Sequence, residues 1–443
     1  MKKLFRILFF TLLTIANLKA ADLPVFYRAQ HFQGNFPKNA TEWATSPQIR
    51  YSTGNSRKGY DASCHTTNVL NIYGLINVNK LAYNMENLTS KPITNQWLNQ
   101  NTGTIPNYFF GGDNGKIELN GKLKVDEFEF DIQQYLTSGF FARFYMPLRH
   151  VKINQISYTD KTSTTTAHYT DFESFLTNNF NTVLNENGLH NLTSPYNKTS
   201  AGDLNLSLGW QGKAKMHEYI QEISGYAELG VTIPTASKTP LDQVVYVANS
   251  YDGFYSVNAR GVFEITVCNW LNGGLYGNFL TFFNQSRTIR MATDKTQSGL
   301  VILEKGHTQL NAGNIWNLAA YLKLNPFFKQ VLINVGYSFT RQEPTHLDVR
   351  DSTFLSTYIA AQQADASVIY KETKDDVVNS NVRLKDWSQH VLHFQIGYDA
   401  TAINNYKYSP TIYLSYDCPI YGKRSYKTDM LGGNIGLTIK WNF

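Results

Sequence analysis

From Leu204 onward, apolar and polar side chains alternate with a period of two in one segment after another. Leu204, Leu206, Leu208 and Trp210 enclose Asn205 and Ser207. Ile223, Ala227, Leu229, Val231 and Ile233 enclose Ser224, Tyr226 and Glu228. The same rhythm recurs through Val257–Val267, Trp316–Leu324, Val331–Phe339 and Leu392–Tyr398. It holds again at the even positions of Tyr408–Tyr416 and at the odd positions of Leu431–Phe443. Successive side chains of an extended strand point to opposite faces, so each segment predicts a strand with one greasy and one polar face. Leu275–Asn284 is apolar on both faces. Nearer the N-terminus the pattern weakens. Phe140, Ala142, Phe144, Met146 and Leu148 alternate with Arg143 and Arg149. Leu119, Gly121, Leu123 and Val125 fit until Glu127, where the phase slips before Phe128 and Phe130, as at a β-bulge. A first strand around Gln48–Tyr60 is polar on both faces. The total is twelve strands, all antiparallel if consecutive ones pair.

The connections alternate in length. Short links fall near Thr137–Gly139, Met216–Tyr219, Trp270–Gly273, Asn325–Lys329 and Ala402–Tyr406. Long ones span roughly 61–114, 159–202, 237–250, 294–310, 344–387 and 419–429. Both ends of the strand set then lie on the short-turn side. Transmembrane β-barrels have this asymmetry, with short periplasmic turns and long extracellular loops. Structureless loops of such length would count against a compact soluble domain. Two of the long loops carry helical spacing: Thr170-Asp171-Phe172-Glu173 reads as a capping box before Phe175, Leu176, Phe180, Val183 and Leu184, and a second pattern follows Ser352. They predict either a lid over the barrel mouth or ordinary surface helices.

Composition narrows the class. The chain has 443 residues, with 17% charged and 14% aromatic, and a formal charge of +6. Aromatics are too many for a disordered chain. Outside the N-terminus no apolar run reaches the ~18 residues of a membrane-spanning helix. The positive charge is spread without a basic block, which excludes nucleic acid as the expected partner. At the start, Lys2, Lys3 and Arg6 precede the apolar run Ile7–Ala16, with small Ala20 and Ala21 after it. This reads as a secretory signal peptide over 1–20, cleaved after Ala20. Residues 21–46, with scattered aromatics, read as a periplasmic or plug segment, and 47–443 as the barrel.

The last strand, ending in Trp441 and Phe443, resembles the C-terminal strand of bacterial outer-membrane β-barrels. The resemblance implies that these two residues form the insertion signal read by the barrel-assembly machinery, with outer-membrane lipid as the surrounding solvent. Gly202-Asp203-Leu204-Asn205-Leu206-Ser207-Leu208-Gly209-Trp210, with Leu229-Gly230-Val231-Thr232-Ile233-Pro234-Thr235, resembles strand pairs of the phenol-degradation-pathway outer-membrane channel family. Ala236 stands where that pattern has Gly. The likeness covers about a tenth of the chain and implies a transport barrel for small solutes.

The polar faces supply the candidate lumen residues: Arg143, Arg149, Lys213, Lys215, Glu222, Glu228, Arg260, Glu264, Lys323, Asp399, Lys407, Asp417 and Lys440, with Lys122 and Lys124 on the second strand. Basic residues lead, which predicts a mild anion bias in a water-filled lumen. The other reading is that many pair into salt bridges that stiffen the wall. Twelve strands fall between a side-chain-filled barrel and an open porin, so the count allows a narrow pore or an occluded one. Cys64 and Cys418 fall close together in a closed ring, so a disulfide is allowed, with two free thiols as the alternative. Cys268 sits near a turn.

Little else suggests chemistry. None of the ten His is followed two positions on by Ser, the dyad of outer-membrane phospholipases. Asp375-Asp376 and His346-Leu347-Asp348 share one long loop, as solvated residues do. His390 and His393 point to opposite strand faces and cannot chelate one metal. No HExxH, paired CxxC or phosphate-binding loop occurs. The sequence thus predicts no catalytic residues, metal or cofactor. It favours a passive channel for small solutes over an adhesin or structural barrel working through its loops, a barrel hydrolase, or a soluble exported β-protein.

Overall fold

The computed structural model describes residues 43–77, 116–161, 180–186, 188–216, 219–292, 299–302, 304–325, 330–350, 374–402 and 407–441. Twelve long strands form the wall: β1 Ala44–Ser56, β2 Lys116–Tyr135, β3 Phe140–Asp160, β4 Leu204–Lys215, β5 Glu222–Ile233, β6 Ser256–Cys268, β7 Leu271–Phe282, β8 Ile315–Leu324, β9 Val331–Gln342, β10 Trp387–Asp399, β11 Tyr408–Lys423 and β12 Asp429–Lys440. Each pairs antiparallel with its neighbours in the chain, and β12 returns to β1, from Ala44 opposite Lys440 to Asn55 opposite Asp429. The ring is closed. Its expected count and up-and-down order are those observed.

Closure has a physical cause. A backbone amide or carbonyl facing lipid without a partner costs several kcal/mol, so a spanning sheet has to have no edge. The pairing also drifts along the strands around the ring. Asp417 pairs with His393, His393 with Gly336, Gly336 with Tyr321, Tyr321 with Gly274, Gly274 with Glu264, and Glu264 with Ser224. This stagger tilts the strands and lets the sheet curl into a cylinder.

The outward faces are those the alternation marks. Leu208, Leu229, Phe263, Leu275, Leu318, Val335, Ile396, Leu414 and Ile435 are all exposed large apolar side chains, spread over nine strands. Burying such a belt in lipid is favourable where exposing it to water is not. Trp43, Phe140, Trp210, Tyr219, Trp270, Tyr408 and Trp441 are exposed at the short-turn end. They form the aromatic girdle expected at a membrane interface. Trp441 is also tied to the wall, its indole N–H donating to Thr45 Oγ1 at 2.8 Å. Phe443, residues 21–42, the capping box at Thr170–Glu173 and the pattern after Ser352 lie outside the described residues.

Two expectations need correction. β2 contains no phase slip at Glu127: its odd positions are the more buried ones without a break from Ile117 to Asp131, and the register shift lies instead between Asn120 and Lys122. What changes at Glu127 is residue type. Above it, Ile117, Leu119, Leu123 and Val125 face inward against an apolar core; below it the inward residues are acids and Phe128 and Ile132 face out. The break in the hydropathy rhythm marks the rim of the belt, not a bulge. Lys122 and Lys124 therefore lie on the outer face, where Lys124 pairs with Asp126 at 2.8 Å. Secondly, β11 runs on to Lys423, so the expected long link at 419–429 shrinks to residues 424–428, whose Ser425–Tyr426 pairs with Lys58–Tyr60.

The long loops fold into a cap. Val69–Ile76, Leu184–Tyr196, Val244–Val247 and Leu300–Val301 pack one apolar core against the upper inner faces of β2 and β3. A second core joins Phe254, Phe282, Ile289, Leu310, Leu347, Val378 and Trp387. The small sheet of Gln285–Met291, Glu304–Asn311 and His346–Val349 supports it. Helices in the described part of the cap are short, Phe180–Glu186 and Lys374–Asn379. At its base, buried Asp203 accepts the backbone N–H groups of Tyr251 at 2.9 Å and Ala236 at 3.1 Å. Burial holds this carboxyl above the usual carboxylate range. Asp203 thus joins three chain segments, its own and those of Ala236 and Tyr251.

Leu414, in the middle of β11 and 61% exposed on the belt, gives a direct check. Leu414→Arg should cost about 2–4 kcal/mol of folding free energy in a bilayer. Reversible denaturant unfolding in lipid measures this, and an unchanged midpoint would remove Leu414 from the lipid face.

Candidate functional site

Inside the belt the wall is lined by charge. Arg143 of β3 donates from Nε to Asp131 of β2 at 2.9 Å, and its Nη1 lies 3.4 Å from Glu228 of β5. Glu228 also meets Arg260 of β6 at 2.7 Å. Arg149 donates to Glu127 at 2.7 Å and to the Asn249 carbonyl at 2.7 Å. Arg50 of β1 lies 3.7 Å from Glu129 and 3.6 Å from Asp417, and donates to Ser415 at 3.1 Å. Tyr145 donates to Glu129 at 3.0 Å. On the far side, Lys323 and Tyr321 of β8 both donate to Glu264 of β6, the tyrosine at 2.9 Å.

Several of these pairs skip a strand. Arg143 reaches past β4 to β5, Glu264 meets β8 across β7, and Arg50 reaches past β12 to β11. Such side chains lie along the inner wall and narrow the lumen. The carboxylates and cations are buried, which only close pairing makes tolerable. Of the two readings of these residues, the structure supports wall-stiffening ion pairs.

Glycines make the lining thin where an aromatic ring crosses the wall. Tyr321 lies over Gly274, its cross-strand partner, and a Cβ there would run into the ring. Tyr413 lies over Gly397 and Phe141 over Gly209 in the same way. Without a Cβ beneath it, the Tyr321 ring can lie flat and bring its hydroxyl to Glu264.

The structure sorts the sequence candidates into two groups. Arg143, Arg149, Glu228, Arg260, Glu264, Lys323, Asp399 and Asp417 are buried on the inner face. Lys213, Lys215 and Lys407 are exposed at the short-turn rim, with Glu222 and Lys440 beside them half-buried. Lys213 and Glu222 approach to only 4.0 Å. Sequence reasoning missed Arg50, Glu127, Glu129 and Asp131, because β1 looked polar on both faces and β2 was placed out of phase. Counting them, and setting the rim residues apart, reverses the expected charge balance. The buried inner wall carries the carboxylates Glu127, Glu129, Asp131, Glu228, Glu264, Asp399 and Asp417 against the cations Arg50, Arg143, Arg149, Arg260 and Lys323.

The cysteines do not bridge. Cys64, Cys268 and Cys418 are free thiols. Cys64 occupies a left-handed turn position beside Tyr421, whereas Cys418 sits by Tyr416 and Asp429, so the two face different neighbours. No metal-holding group of His, Cys, Asp or Glu occurs among the described residues.

One cluster has the connectivity of a hydrolytic triad. Ser338 Oγ lies 2.7 Å from His393 Nε2, and His393 Nδ1 lies 2.8 Å from Asp417. The three stand on β9, β10 and β11, each on the inner face, so no spacing along a single strand marks them. Ser338 is only 1% exposed, so its hydroxyl offers no open side to a substrate carbonyl.

An unbroken hydrogen-bond ring, a greasy belt outside and a polar interior define a transmembrane β-barrel. No family model matches the chain, and no curated protein does. Among solved structures it is similar to an outer membrane channel from Pseudomonas putida F1, at 10% identity and a TM-score of 0.46, covering 93% of this chain and 100% of that one. It is similar also to a mutant monoaromatic hydrocarbon channel, at 7% identity and TM-score 0.33 over 96% and 98% of the two chains. The translocator domain of an autotransporter from Neisseria meningitidis aligns at 10% identity and TM-score 0.31 over 91% and 90%.

Glu228 is shared by two buried arginines, and Glu228→Gln removes the carboxylate charge beside Arg260 while Arg143 keeps Asp131. The expected loss is about 3 kcal/mol or more, against less than about 1 kcal/mol for Glu222→Gln at the rim. Thermal unfolding followed by unheated-gel mobility compares them. Equal effects would show that the inner pairs do not hold the wall.

Proposed function

We propose that the chain is a bacterial outer-membrane barrel that passes small solutes passively through its lumen, with the cap restricting access from the loop side. The observation that carries this reading is the charged lining, borne by β1, β2, β3, β5, β6, β8, β10 and β11 inside an apolar belt. Ion pairs alone would stiffen the wall of any barrel; a polar interior inside the belt is what a solute path needs, and it supports this reading. In this reading residues 1–20 direct export and are removed after Ala20, the residues from 21 to the start of β1 at Ala44 form a periplasmic or plug segment, and Trp441 and Phe443 present the insertion signal to the barrel-assembly machinery. The short turns face the periplasm and the cap faces outward. The excess of carboxylates on the wall favours cations or neutral solutes.

A loop-based role, as adhesin or structural barrel, is the second reading. It is favoured by a cap with two apolar cores of its own, more structure than a simple mouth requires. Hydrolysis is the third, and it rests on Ser338, His393 and Asp417.

Planar-bilayer recordings separate the first two. Stepwise currents with weak cation preference are expected, and Arg143→Ser with Arg260→Ser should shift the reversal potential further toward cations. A correctly inserted, heat-modifiable barrel that stays silent would point to the loops. For the third reading, a fluorophosphonate probe should leave Ser338 unlabelled. Labelling that disappears in Ser338→Ala would establish a nucleophilic serine.

A further inference from the structure

Where β9, β10 and β11 leave the belt on the cap side, their outward faces carry two levels of side chains. The outward row of β9 runs Val335, Tyr337, Phe339 and Arg341, from the belt into rings and then into a cation. Register sets Phe339 opposite His390 and His390 opposite Tyr421, so three rings share one level, with centroids 4.8 and 5.3 Å apart. One step further out, Arg341 lies opposite Ser388 and Ser388 opposite Lys423. Lys423 donates to Asp386 at 3.0 Å, Arg424 reaches the same carboxylate at 3.2 Å, and Arg341 lies 3.7 Å from it. Among the described residues these three cations share one carboxylate. The next acid along the chain from Arg341, Glu343, accepts instead from Asn314 at 2.9 Å and Trp316 at 3.2 Å. With both acids counted, this part of the rim keeps a net positive charge. The Arg341 side chain is 51% exposed and that of Lys423 31%, so an incoming group can reach both heads.

We infer that this corner of the rim docks a phosphorylated glycolipid of the surrounding membrane, its phosphate against Arg341 and Lys423 and its body on the Phe339, His390 and Tyr421 rings. The two levels match an amphiphile standing at a bilayer interface, with the anion further out and the greasy part toward the belt. Guanidinium and ammonium groups both donate charge-assisted hydrogen bonds to phosphate oxygens. Asp386 gathers the three cations without cancelling them, and each cation near a bilayer surface favours an anionic lipid. Rings with a polar edge suit the level just above the acyl chains. A free anion would gain the cations but not the rings; an uncharged lipid would gain the rings but not the cations. The inference rests on the proposed outward-facing cap for which leaflet supplies the lipid, and it does not rest on solute passage.

The test is native mass spectrometry of the full chain, released from an uncharged detergent after incubation with one of three probes. These are diphosphorylated lipid A, the same lipid stripped of its phosphates, and inorganic phosphate. The phosphorylated lipid should be retained one per chain, roughly tenfold or more tighter than the stripped one, and inorganic phosphate should not be retained. Arg341→Gln and Lys423→Gln should each weaken retention roughly fivefold. Lys124→Gln, which breaks a one-to-one pair with Asp126 elsewhere on the outer face, should leave it unchanged. The inference is overturned if the stripped lipid is held as tightly, if inorganic phosphate alone binds as well, or if both rim variants, running as folded barrels on unheated gels, keep the parent affinity. Should a rim variant fail to fold, the three probes on the parent chain decide alone. Because neither orientation nor current is measured, lipid retention by an electrically silent barrel would refute the channel and spare the inference, and conductance by a barrel indifferent to the phosphates would do the reverse.

Discussion

A sheet placed in hydrocarbon has to satisfy every main-chain amide and carbonyl within itself, and only a ring does so. That constraint orders the rest of this molecule. It forces β12 back to β1, and the stagger that curls the sheet also fixes which residues become neighbours on the inner wall. It makes the outside greasy at every strand while leaving the inside free to be polar. The charged lining is thus permitted by closure rather than required by it, which is why its presence carries functional weight.

The strands from β3 to β12, except β7 with its two apolar faces, were readable in the amino-acid order because one face of each meets lipid and the other does not. A period of two is the direct imprint of that division. β2 was harder for an instructive reason. Its inner face is apolar beneath the cap and acidic within the belt, so the greasy side switches at Glu127 although the backbone does not. The extension of β11 beyond Tyr416 was equally hidden, because above the belt both faces touch protein or water and the contrast fades. Loops showed only their lengths: the two cap cores join residues from many separate links, and no local pattern announces such long-range packing.

The candidate site was legible in part. Arg143, Glu228, Arg260 and Glu264 could be placed on the inner face from alternation alone. Their partners could not, since Arg143 reaches β5 across an intervening strand and Arg50 reaches β11 from the other end of the chain. With Glu127, Glu129 and Asp131 missing, and with Lys213, Lys215, Lys407 and Lys440 of the rim counted as lining, the sign of the lining came out wrong. Pairing around a cylinder depends on stagger, which is a property of the whole ring and not of any segment. The serine–histidine–aspartate chain was invisible for the same reason, being distributed over three strands rather than spaced along one.

Arg50 and Ser415 touch although 365 residues separate them, and Asp417 stands beside the same guanidinium. Contacts of such sequence separation form late, because the intervening chain has to be ordered first. Until the final hairpin is laid down, that arginine and that aspartate have no route to each other. Their meeting closes the seam between the two ends of the chain, so Arg50 and Asp417 gain each other only when the cylinder is complete, and an unfinished ring lacks that pair along its open border.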